Sequence, residues 1–176
     1  MMNCGAKVGA FMLGMLSLGA CTRKPEFPNE PFIRYEGFER KKAVNGTDSA
    51  GVLRLYFTDG DGDMGLQASD TTGTFAKGSL YYYNFFISYY ERQMGQWVRV
   101  SLPPPFPGAD TLTNNSRIPF LTPAGQNKQL EGYIDMALFI NNPFSPYDTI
   151  RYEVSICDRA LNRSNQIQTP ELVLQK

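Results

Sequence analysis

The sequence has no histidine among its 176 residues. That absence removes Ser-His-Asp and Cys-His catalysis, histidine-ligated zinc and histidine-based pH sensing. An excess of either charge is missing as well. The 17 Lys and Arg residues balance 17 Asp and Glu, so no basic field exists to draw in nucleic acid. Past residue 20 there is no long apolar run, and so no further helix able to cross a bilayer. Nor does any segment there show a convincing 3.6-residue apolar period. What is present instead is alternation, with aromatic and β-branched residues bounded by clusters of Gly, Pro, Asn and Asp.

The first twenty residues differ in kind. Lys7 supplies a positive start, Val8 to Leu18 is uncharged and apolar, and Leu18-Gly19-Ala20-Cys21 closes the stretch with small residues before a cysteine. About ten apolar residues are too few to span a membrane and suit the core of an export signal. The Leu-Gly-Ala-Cys ending resembles the lipobox of bacterial lipoproteins. The resemblance implies cleavage before Cys21, a lipidated Cys21 and a chain anchored in the cell envelope. By the same resemblance, Thr22 after the cysteine, rather than Asp, implies the outer membrane, with the periplasmic and surface faces both open. Each buried methylene of such an anchor contributes about 0.8 kcal/mol. Cleavage at 1–20 removes Cys4 and Lys7, taking the formal charge from zero to −1. With Cys21 carrying lipid, Cys157 is the only free thiol left. No intramolecular disulfide framework is therefore possible, and burial must hold the core together.

Residues 21–31 carry Pro25, Pro28 and Pro31 and read as an extended tether. Residues 32–176 suffice for one domain. Strands are expected at Phe32–Tyr35, at Val52–Phe57 with Leu53, Leu55 and Phe57 on one face, and at Leu80–Glu91. A turn at Met94-Gly95 should join the last of these to Gln96–Leu102. The proline run from Pro103 ends that strand. A short edge strand is expected at Ser116–Leu121. Further strands follow at Leu130–Ile140, at Thr149–Cys157 and, with Pro170 marking an edge, at Gln166–Leu174. Seven or eight short strands without a helix predict an all-β antiparallel sandwich.

Asp148-Thr-Ile-Arg-Tyr152-Glu-Val154 resembles the penultimate strand of immunoglobulin-like domains, with Val154 in place of the cysteine. The resemblance implies that Tyr152 is a corner residue tying a loop back to the backbone. Asp158-Arg-Ala160-Leu-Asn162-Arg-Ser164 resembles the Asp-x-Ala-Gly-Asn-x-Ser ending of bacterial immunoglobulin-like modules, departing from it where Leu161 replaces glycine. Together these imply an immunoglobulin-like, cadherin-like fold. A fold does not by itself name a function.

The one dense chemical constellation is Asp59-Gly-Asp61-Gly-Asp63. Three carboxylates at alternate positions repel one another unless a cation lies between them. Gly60 and Gly62 let the chain curl so that the side chains converge. Oxygen ligands without His or Cys suit calcium. An EF-hand is rejected, because Met64 stands where that loop needs glycine and no helices flank it. If Val52–Phe57 and Thr149–Cys157 are the second and penultimate strands of the sandwich, their following loops emerge at one pole. Asp158 and Asn162 would then join Asp59, Asp61 and Asp63, as in the calcium sites of cadherin-like modules. The competing reading is a solvated acidic turn.

The Tyr81–Tyr90 segment places aromatics on both faces of its expected strand. One face must be core. The other is either covered by a loop such as 103–129 or another subunit, or is a platform for sugar rings or a protein. Tyr81, Tyr83, Tyr89 and Trp97 are the candidate ligand contacts, Trp97 reading more simply as a core plug and Cys157 as an inert thiol. The expected function is a non-catalytic, calcium-stabilised, lipid-anchored envelope module that scaffolds or binds an envelope partner. The alternative is a glycan-binding accessory lipoprotein.

Overall fold

The computed structural model describes residues 26–101, 113–123, 125 and 128–176. The export signal, Cys21 and all of the proline-rich 103–112 run lie outside the described residues.

Eight strands are present among the described residues: β1 (Phe32–Lys42), β2 (Asp48–Asp59), β3 (Phe85–Gln93), β4 (Gln96–Arg99), β5 (Leu130–Phe139), β6 (Thr149–Ile156), β7 (Ile167–Gln168) and β8 (Leu172–Val173). A single 3-10 turn, Gly73–Phe75, is the only helical element described. One sheet has the order β1-β2-β5. The other runs β4-β3-β6, with β7 and β8 both pairing with β6 on either side of Pro170. Every pairing between strands is antiparallel. This is the A-B-E and C′-C-F-G order of immunoglobulin-like sandwiches.

Alternation in the sequence becomes the core directly. Leu53, Leu55 and Phe57 of β2 are buried, as are Ile134 and Leu138 of β5. Leu55 pairs with Ile134 in register, so the two strands present one apolar face. From the facing sheet come Phe85, Ile87 and Tyr89, opposite Ile156, Val154 and Tyr152. Fully burying one such side chain contributes about 1.5–3 kcal/mol. Tyr152 is wholly buried and stacks on Phe38, with ring centroids 6.1 Å apart. Its hydroxyl reaches the Phe139 carbonyl at 3.4 Å, longer than a good hydrogen bond. The link therefore runs to the end of β5, and ring packing rather than the hydroxyl holds the residue. The β3–β4 hairpin turns on Met94 and Gly95, both at positive φ (49° and 82°), the form that matches strand twist.

Three expectations need correction. The aromatic strand begins at Phe85 rather than Leu80, and Tyr81, Tyr82 and Tyr83 sit in the turns before it. The guanidinium of Arg117 donates to the Tyr82 carbonyl and lies 5.1 Å from the Tyr82 ring, fixing this segment outside the ladder. Ser116–Leu121 is not a strand. It makes two isolated bridges, Ser116 to Phe85 and Pro119 to Leu66. Trp97 does not plug the core. It lies on the outer face of its sheet, half-buried, with the Arg151 guanidinium 4.5 Å from its ring.

Of the expected tether, residues 21–25 lie outside the described residues, and its last residues pack on the domain instead of standing free. Pro31 is buried, and the Phe27 and Pro28 carbonyls lie against Gly60. At the leading edge of β1, Asn165 accepts from the Ile33 N–H (2.8 Å) and donates to the Ile33 carbonyl (2.9 Å).

Candidate metal centre

β2 ends at Asp59 and β6 at Ile156, at the same pole of the sandwich. The loop after β2 carries Asp61 and Asp63; the loop after β6 carries Asp158. One carboxylate oxygen from each of Asp59, Asp61, Asp63 and Asp158 lies within 4.8 Å of the others. The expected convergence is therefore present. Two unit charges at that separation repel by about 3.5 kcal/mol at an effective dielectric near 20. An acidic turn in open water avoids this by splaying its side chains. These do not splay.

The glycines explain why. Gly62 has φ +68°, and a Cβ there would stand 1.8 Å from the Lys128 carbonyl oxygen. At Gly60 a Cβ would meet the Phe27 carbonyl oxygen at 2.3 Å. Neighbouring backbone thus presses the acidic loop inward on both sides, and only glycine fits beneath it.

Burial completes the geometry. Asp59 is 0% exposed and Asp158 1% exposed, while Asp61 and Asp63 are half-buried. Both oxygens of Asp59, Oδ1 of Asp61 and Oδ1 of Asp63 are buried without a hydrogen-bond partner. Unpaired buried carboxylate oxygens are costly and call for a cation or a proton. Burial first, then the charges of Asp61, Asp63 and Asp158, push the Asp59 carboxyl up from 3.8 to about 7. Burial also raises Asp63, aided by Asp61 and opposed by the Ala160 N–H and by Arg159. Asp158 is raised by burial against two hydrogen bonds from Asn162.

No family model, curated protein sequence or solved structure matches the chain. The chemistry must be read from these side chains themselves.

Asn162 is placed as the partner of Asp158. Its backbone N–H donates to Asp158 Oδ1 at 2.7 Å and its side-chain amide donates to Oδ2 at 2.9 Å. It orients a carboxylate that faces the cluster. Leu161, where the resembled pattern has glycine, adopts φ +71°. The turn keeps its left-handed geometry and leucine bears the strain.

Sequence reasoning missed Arg159. Its guanidinium donates to the carbonyls of Met64 and Gly65, both at 3.0 Å, and lies 4.3 Å from the Phe120 ring. It staples the loop after β6 onto the loop after β2. Only its position beside Asp158 marked it in the sequence.

The four carboxylates could hold a metal ion. All four donors are hard oxygens, with neither nitrogen nor sulfur among them. Cys157 is next in chain to Asp158 but is buried, its thiol pushed up to about 11 by burial and then by Asp158. A protonated thiol is neither a ligand nor a nucleophile.

The aromatic candidates do not gather. Tyr89 is buried in the core and donates to Glu91 Oε1 at 3.0 Å. Trp97 is on the opposite face of that sheet, and Tyr81 and Tyr83 precede the strand.

Proposed function

We propose that the chain is a non-catalytic module of a bacterial cell envelope. Lipid on Cys21 holds it to a membrane, the outer membrane by the residue that follows. Calcium between Asp59, Asp61, Asp63 and Asp158 stiffens its pole, and the sandwich serves as a scaffold or binds an envelope partner. The observation that carries the calcium reading is the set of four buried carboxylate oxygens without a partner. Calcium takes six to eight oxygens with flexible geometry, whereas magnesium keeps several waters and demands an octahedron. Four converging carboxylates already folded into a protein wall suit the larger ion. The ion would fasten the loops after β2 and β6 together and do no chemistry.

Thermal melting of the full chain in calcium and in chelator tests this. At calcium a hundredfold above its dissociation constant, stabilisation is about 2.7 kcal/mol. For a domain of this size that is a rise of roughly 5–10 °C. Asp61→Asn combined with Asp63→Asn should abolish the rise. Identical curves in calcium and chelator would overturn the reading. Mass analysis of the mature N-terminal peptide tests the anchor, which Cys21→Ser should remove.

The glycan-binding alternative has less to stand on. Tyr89 faces the core, and the Trp97 ring is already covered by Arg151.

A further inference from the structure

The start of the described chain is laid across the acidic pole. Phe32 of β1 pairs with Thr58, one residue before Asp59. Upstream, the Phe27 and Pro28 carbonyls rest on Gly60, between Asp59 and Asp61. The segment leading back to Cys21 therefore leaves the domain at the carboxylate cluster. Phe27 lies six positions after Cys21, a reach of at most about 22 Å. β3 alone has nine residues and carries the chain about 30 Å from this pole to the Met94-Gly95 turn. A membrane holding Cys21 is thus nearest the acidic pole, and meets the far hairpin only when the domain lies on its flank.

We propose that the carboxylate pole is the membrane-facing end of the domain, where a divalent cation bound by Asp59, Asp61, Asp63 and Asp158 is shared with phosphate headgroups of the bilayer. The inference rests on the anchor and calcium readings above. Charge decides the occupant. Without an ion, four clustered carboxylates facing an anionic surface are repelled within a Debye length of about 8–10 Å. With one, the repulsion becomes a bridge. Coordination leaves room for it: four side chains supply four oxygens at one contact each, short of the six to eight that calcium takes. Asp59 and Asp158 close the back of the cluster, while Asp61 and Asp63, half-buried with their Oδ1 atoms turned inward, stand nearest its outer side.

The test uses the full lipidated chain in phosphatidylglycerol vesicles doped with a nitroxide-headgroup lipid. A fluorophore is placed at Ala160→Cys, exposed on the loop after β6, or at Met94→Cys, exposed at the far turn. Cys157 is buried and does not compete for label. The expected result is quenching at position 160 in calcium, lost in chelator and in Asp61→Asn, with none at position 94. Quenching at position 94, calcium-independent quenching at 160, or none at 160 overturns the proposal. Melting of the same samples separates the causes. A calcium-dependent melting shift without quenching at 160 sinks membrane docking alone, whereas no melting shift sinks the calcium reading beneath it. A chain that fails to float with vesicles sinks the anchor.

Discussion

Asp63 and Ala160, 97 positions apart, are joined by a 2.9 Å hydrogen bond from the Ala160 N–H to Asp63 Oδ2. The Arg159 N–H donates to the Asp63 carbonyl at 3.3 Å beside it. Asp63 therefore spends one oxygen on fixing the opposite loop and keeps the other, Oδ1, turned inward without a partner. The two loops are docked by backbone without an ion, so an ion bound between them would not have to meet the full entropy of closing them. What remains unfavourable is the mutual repulsion of the carboxylates, and that depends on pH.

Metal-free stability should fall as pH rises. The Asp59 carboxyl, raised from 3.8 to about 7, binds its proton more tightly folded than unfolded. Its contribution is therefore fully present below the unfolded value and is lost as pH rises through the folded one. Asp63 and Asp158 shift in the same direction. In chelator the melting temperature should drop between about pH 4 and about pH 7, and the increment given by calcium should grow over the same interval. Melting at fixed ionic strength checks both. A flat chelator series would contradict the buried, unpaired state of Asp59.

Gly62→Ala should be among the most damaging small substitutions. It combines a strained φ with a 1.8 Å approach to the Lys128 carbonyl oxygen, backbone that cannot turn aside. A loss of about 3 kcal/mol is expected in urea unfolding. A weaker calcium increment should accompany it, because the loop must move to admit the methyl group.

Leu161→Gly should stabilise. Leucine at φ +71° is exposed, so replacing it loses little burial and relieves a left-handed backbone. The gain should be about 1 kcal/mol, with Leu161→Ala near neutral as the control. Equal effects of both substitutions would show that the turn is not strained.

Glu91 governs the other pole. It is buried yet receives Tyr89, Asn142, Ser145 and Gln93 as donors. Burial pushes its carboxyl up, but those hydrogen bonds outweigh burial and hold it below the ordinary range. Its contribution is thus present above the unfolded value and lost as pH falls through the folded one, outside the window that reports on Asp59. Glu91→Gln should cost about 2 kcal/mol in urea unfolding and leave the calcium increment unchanged.

The strands were legible wherever one face is core. Leu53, Leu55 and Phe57, or Ile150, Tyr152, Val154 and Ile156, alternate because the sandwich has one inside, and all are buried. The aspartate cluster was legible through spacing on one loop and topology for the other. The tyrosines before Phe85 misled because composition favours strand, whereas Arg117, 35 positions from Tyr82, settles them in turns. Arg159 and the Phe27–Pro28 contact were hidden for the same reason. Each acts through backbone carbonyls, which leave no trace in residue type.

Asn165 gives the sandwich a property unrelated to metal. An edge strand offers bare N–H and C=O groups on which the next chain can template itself, the first step toward aggregation. One asparagine amide occupies both valences of Ile33. Copies crowded side by side thus meet a sealed seam at that stretch of β1, and fibrillar growth cannot begin there.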